Sequence, residues 1–179
     1  TDYVDGIKSQ KVVTDVADGF SWSSKIYDYD DTTGSLLTIS TVFDDGSTSI
    51  HQPASGPLGQ IITLLDSANA FSWTSRATTY DASGAVVAQT RLNDDGTQSI
   101  TQFSGGVRTQ VTWTDGGNAQ LWHEKTFTYD AGGRLASSDV MMDDGRQIVQ
   151  AYQDGVRVMR TVTDTADMAG WATITHLFD

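Results

Sequence analysis

Four tryptophans constrain this chain more than any other feature. Trp22, Trp73, Trp122 and Trp171 stand 51, 49 and 49 residues apart. Seven residues after each comes an aromatic: Tyr29, Tyr80, Tyr129 and Phe178. An Asp follows each of those: Asp30, Asp81, Asp130 and Asp179. Fifteen residues before each Trp is an aliphatic: Ile7, Leu58, Val107 and Val156. A further mark recurs at Asp44-Asp45-Gly46, Asp94-Asp95-Gly96 and Asp143-Asp144-Gly145. A register kept this closely means one supersecondary unit written several times. Such units bury little alone and build a core by stacking on their neighbours.

The units run over 4–53, 54–104 and 105–153, with a partial unit at 154–179. Each reads as two hairpins. In the second unit one hairpin turns at "DASG" and the other at "FSGG". Asp-Gly and Gly-Gly between β-type runs are hairpin signals. The runs are rich in Val, Ile, Thr, Tyr and Trp and lack helical periodicity. The expected fold is all-β: an antiparallel meander of about 14 strands, one single array of repeated hairpins. An open or spiral sheet leads, with an up-and-down barrel or sandwich as the alternative. A half-integer repeat count suits an open array better than a propeller, which needs whole blades. Pro53 and Pro57 flank one turn, where missing amide donors do least harm. Unpaired sheet edges are expected near Ile7–Asp15 and Trp171–Asp179.

Composition narrows the function. The formal charge is −12, so a phosphate backbone or an anionic membrane surface is repelled. Neither nucleic-acid binding nor membrane insertion is expected, and no apolar run reaches a membrane span. Without Cys, disulfides, thiolate metal sites and a cysteine nucleophile are excluded. Glu124 is the single Glu, and an acid content made of Asp favours turns and strands over helices. Residues Thr1–Gln10 do not read as a signal peptide, and no targeting signal is visible.

"TFTYDAGGRL", Thr126–Leu135, resembles the YD repeat of Rhs and teneurin-type shells, at Tyr129, Asp130, Gly133, Arg134 and Leu135. Tyr80, Asp81, Gly84 and Val86 follow the pattern more loosely, as do Tyr29, Asp30, Gly34 and Leu36. Tyr152–Arg157 and Tyr3–Ile7 echo half of it. Two of the three full matches lack the Arg, and the Trp and Asp-Asp-Gly marks belong to this chain's own pattern. The resemblance implies an extracellular or cell-surface bacterial setting. There the chain would be a non-catalytic stalk, shell or filament segment of a large secreted protein. Its partners would be the rest of such a protein or further copies through edge strands.

On the strand before each Trp, alternate positions are mostly aliphatic, for example Val107, Val111 and Trp113. The other positions, such as Arg108, Gln110 and Thr112, form a wet face. Trp and Tyr lie seven residues apart, so in an unbulged strand they face opposite sides and each face carries an aromatic row.

Two sets of candidate ligand residues follow. Trp22, Trp73, Trp122, Trp171, Tyr29, Tyr80 and Tyr129 could stack on sugar rings, which makes an extracellular carbohydrate-binding module the alternative function. Core packing and cross-strand ladders compete with that reading. Asp44, Asp45, Asp94, Asp95, Asp143 and Asp144 could hold Ca²⁺, the one cofactor the chain suggests, although no known calcium-loop pattern is present. Plain turn formation competes there. His51, His123 and His176 show no ligand spacing. Uniform, turn-placed Asp offers no pair of carboxyls with divergent pKa values, so no catalytic residue and no enzyme are expected. The arginines are expected to neutralise nearby Asp.

Overall fold

The computed structural model describes residues 1–53 and 58–179; the turn between Pro53 and Pro57 lies outside the described residues. The fold is all-β. Fifteen strands follow one another as a single antiparallel meander, each beside its chain neighbours, and the sheet is not closed into a barrel. The barrel alternative is thereby corrected: among the described residues, strand pairing runs in chain order and no ladder joins the last strand to the first.

Contacts divide the chain into two compact units, Thr1–Val86 and Val87–Asp179. The first holds β1 (Asp2–Val4), β2 (Ile7–Thr14), β3 (Trp22–Tyr29), β4 (Leu36–Phe43), β5 (Thr48–Pro53), β6 (Leu58–Leu65) and β7 (Trp73–Asp81). The second holds β8 (Val86–Asn93) from its second residue, β9 (Thr97–Ser104), β10 (Val107–Asp115) and β11 (Trp122–Tyr129). It continues with β12 (Leu135–Met142), β13 (Arg146–Gln153), β14 (Val156–Asp164) and β15 (Thr173–Leu177). The expected first edge moves: Ile7–Thr14 is an inner strand at its start, where three-residue β1 pairs with Ile7, Lys8 and Gln10.

The turns explain the spacing of the Asp marks. After each Tyr, the Asp backbone N–H closes the turn onto a carbonyl four or five residues on, at 2.8 Å for Asp30, Asp81 and Asp130. Its Oδ1 accepts the amides inside the turn, from Thr33 at 2.7 Å, Ser83 at 2.9 Å and Gly132 at 2.8 Å. Gly34, Gly84 and Gly133 then take φ of +70°, +87° and +77°, which an L side chain adopts only with strain. The aliphatic that precedes each Trp by fifteen residues has a role here. Ile7 and Val107 reach to 3.5 Å of where a Cβ on Gly34 and Gly133 would stand.

Bulges recur with the repeat and decide the faces. On β3 and β4, Trp22 pairs Phe43 and Ser24 pairs Val42, so Ser23 is an extra residue. His123 is the extra residue at the same place on β11. The expected opposition of Trp and Tyr is therefore corrected on β3 and β11. One inserted residue shifts the alternation, and Trp22, Lys25, Tyr27 and Tyr29 share one face. A second bulge, at Thr109 on β10, carries Arg108 from the expected wet face to the aromatic one.

The core is thin. Among the described residues, Trp73, Val111 and Val162 are the buried hydrophobics, and no large side chain is fully enclosed. The accessible surface is 10719 Å², against roughly 8,500 Å² for a folded monomer of this mass. The buried strand residues described in the second unit, Thr97, Ser99, Val111, Asp115, Ser138, Val162 and Asp164, all lie on its aromatic face.

Candidate functional site

Cations organise the aromatic face of each unit. Lys25 Nζ lies 4.6 Å from the Trp22 ring centre, the Arg76 guanidinium 5.8 Å from Trp73, and Lys125 Nζ 3.9 Å from Trp122. A second series serves the Tyr positions: Lys8 over Tyr29 at 4.1 Å, Arg108 over Tyr129 at 3.9 Å and Arg157 over Phe178 at 4.2 Å. Lys11 over Tyr27 at 5.4 Å makes a seventh pair. The ring quadrupole attracts the cation, while the alkyl stem lies along the sheet face. Partial burial moves the Lys125 amine below the usual lysine range. Gly59 stands where a cation for Tyr80 would sit, and a Cβ there would collide with the Asp81 carbonyl.

The expectation that Arg neutralises Asp holds in the turns alone among the ion pairs found. Arg134 meets Asp154 at 2.9 Å and Arg146 meets Asp144 at 2.6 Å, both solvent-exposed. Most other cations are seated on rings.

The four tryptophans do not converge. Each is half-buried or buried, Trp73 most at 8% exposure. Phe20 stacks on Trp22 at 5.2 Å and 11°, and Phe71 on Trp73 at 5.0 Å and 7°. Tyr29, Tyr80 and Tyr129 are half-buried at the opposite strand ends. A hollow of about 250 Å³ beside Tyr129 is lined by Val107, Thr109 and Asp130; small-molecule sites usually start at about 300 Å³.

The Asp-Asp-Gly turns divide their work. The second Asp folds back on its own turn. Asp45 Oδ1 accepts the Ser47 amide at 2.9 Å and hydroxyl at 2.6 Å; Asp95 does the same with Thr97 at 2.9 and 2.7 Å. Asp144 takes the Arg146 amide at 3.1 Å and Nε at 2.8 Å. These bonds, the side-chain ones first, hold all three carboxyls below the usual range. Of the first Asp residues, Asp44 and Asp143 use their backbone amides on Ser21 and Leu121. Asp143 also stands 4.0 Å from the exposed His123 ring, and Asp94 is exposed. Among the described residues, no three His, Asp or Glu side chains gather as a metal set.

Sequence reasoning missed a further mark, Asp15, Asp66, Asp115 and Asp164, each seven residues before a Trp. The carboxylate reaches across the following loop. Asp15, Asp66 and Asp115 Oδ2 accept the amides of Phe20, Phe71 and Gln120 at 2.7, 2.7 and 2.6 Å, and Asp164 Oδ2 that of Ala169. Three residues after each, Asp18, Asn69, Asn118 and Asp167 hold φ between +50° and +54°, the left-handed region that Asn and Asp tolerate. The repeat spacing itself was the available signal. So was the basic residue three positions after three of the four tryptophans.

No protein-family model matches the chain, and no curated protein matches it either.

Proposed function

We propose that the chain is a non-catalytic structural repeat module, a stalk, shell or filament segment of a large secreted or cell-surface bacterial protein. The observation that carries this reading is repetition without convergence. The same Asp-capped turns, Trp-centred loops and cation–ring pairs recur along the meander. Among the described residues, no carboxylate or histidine stands apart as a chemical centre. Cation stems lying over rings suit a sheet that must stand with little core. The YD-type turns at Tyr29-Asp30, Tyr80-Asp81 and Tyr129-Asp130 support the surface-protein setting. Neighbouring repeats of a longer chain, or further copies at the sheet edges, are the natural partners.

Extension tests this. A second copy of residues 105–153 inserted after Gln153 should fold, and the denaturant m-value should grow roughly in proportion to length. An inserted unit that stays unfolded while the rest keeps its stability would sink the modular reading.

The second reading, a carbohydrate-binding module using the Trp and Tyr rows, draws on the hollow beside Tyr129. A sugar stacking on Trp22, Trp73 or Trp122 must first displace the cation already over the ring.

A further inference from the structure

The strand interiors of the second unit divide charge by face. The pairing Arg91–Ser99–Trp113–Lys125 places Arg91 and Lys125 in one row. The adjacent row runs Gln89–Thr101–Val111–Phe127–Ser138–Gln150–Arg160. These two rows share the aromatic face, because directly paired residues point the same way and Lys125 and Phe127 lie two apart. Arg108 and Arg157 join them through Tyr129 and Phe178. The carboxylates inside the strands, Glu124 and Asp139, occupy the opposite face, where Asp139 is bound by Gln147 Nε2 at 2.8 and 3.0 Å. Asp115 and Asp164, at the strand ends of the cationic face, have an oxygen held by their own loops. An acidic protein thus carries a face whose strand interiors hold cations and no carboxylate.

We propose that this face of Val87–Asp179 docks a linear acidic polysaccharide, with carboxylates spaced along a neutral, hydroxyl-rich chain. Charge complementarity requires an anion. Charge density selects among anions. Arg91, Lys125 and Arg160 stand on β8, β11 and β14, three strands apart, so about 14 Å separates successive strands bearing them. Duplex DNA carries a charge every ~1.7 Å and meets the full repulsion of a −12 chain. A uronate polymer with one charge per sugar or per pair of sugars is far sparser than the duplex and closer to the spacing of the cations. Gln89, Thr101 and Gln150, on the same rows, supply amides and a hydroxyl for its neutral stretches. Recognition runs through the cations, and the rings under Lys125, Arg108 and Arg157 fix those three in place before the ligand arrives. The surface is independent of the structural role, and its failure leaves that role standing.

The test titrates the full chain with oligogalacturonate, with neutral dextran and with a single-stranded oligonucleotide of equal charge count, at low and raised salt. Oligogalacturonate should bind at low salt, weaken about tenfold or more as salt rises, and outcompete both controls. Arg91→Gln/Lys125→Gln/Arg160→Gln should lower affinity by a similar factor. Should that variant fail to fold, Arg108→Gln/Arg157→Gln replaces two exposed side chains and should weaken binding several-fold. Absence of binding by the unaltered chain at low salt overturns the proposal. So does undiminished binding by a folded variant, or an oligonucleotide held as tightly as the glycan.

Discussion

Asp115 and Asp143 are both acids beside turns, and their surroundings give them unequal weight. Asp115 is 8% exposed and accepts the amides of Ala119 and Gln120. Asp115→Ala strands both donors and should cost about 1.5–3 kcal/mol by chemical denaturation. Asp143→Ala removes an exposed side chain and should stay within about 0.5 kcal/mol. Glycine shows a similar contrast. Gly6 and Gly96 both hold φ +81°, but a Cβ on Gly6 meets open space while one on Gly96 comes to 2.9 Å of the Gly117 Cα. Gly6→Ala should cost about 1–2 kcal/mol from the backbone alone, and Gly96→Ala measurably more. Acid gives a pH test with a definite sign. Asp45, Asp81, Asp95 and Asp144 have pKa values lowered by folding. Their stabilisation is present above the unfolded carboxylate value and is lost as pH falls through the folded one. The melting temperature should therefore fall as pH drops below about 4; a melting temperature that rises there would contradict these turn bonds. The Asp-Asp-Gly marks were plain in the sequence, and so was their turn. Which of the two Asp residues folds back was not, because neighbours differ only in geometry.

Bulges separate what could be read from what could not. Periodicity gave the strands, since Val, Thr and Tyr runs between Gly turns leave little choice. It gave the wrong faces for Trp22 and Arg108, because one extra residue inverts every later position and leaves no mark on composition. Apart from Lys11 over Tyr27, the cation–ring pairs were legible only as spacings: three residues after Trp, and twenty-one before the aromatic of the Tyr position. They make β3, β7 and β11 testable as elements. Phe71→Ala removes the phenyl stacked on Trp73. It should cost about 0.5–1.5 kcal/mol beyond its area term and shift Trp73 emission to the red, with faster iodide quenching. Unchanged emission would mean that Phe71 does not shield the indole.

For the whole molecule the thin core sets the thermodynamics. With three buried hydrophobics among the described residues, unfolding exposes little new apolar surface. Calorimetry should give a heat-capacity increment below the usual ~12–15 cal/mol/K per residue. A value inside that range would mean that association covers the sheet in solution. The array order, unlike the two-unit clustering of contacts, could be read from the repeat, because each hairpin signal names its own partner strand.

That order has a consequence for how the chain comes to be folded. Every ladder among the described residues joins strands that follow one another in sequence, so contact order is low for an all-β protein, and loop closure costs little at each step. No strand waits for a distant one. A chain threading out through a narrow exit, one end first, could fix each hairpin as it emerged and use it as the template for the next. The nascent edge would be one strand wide at every moment, and covered within a few residues more.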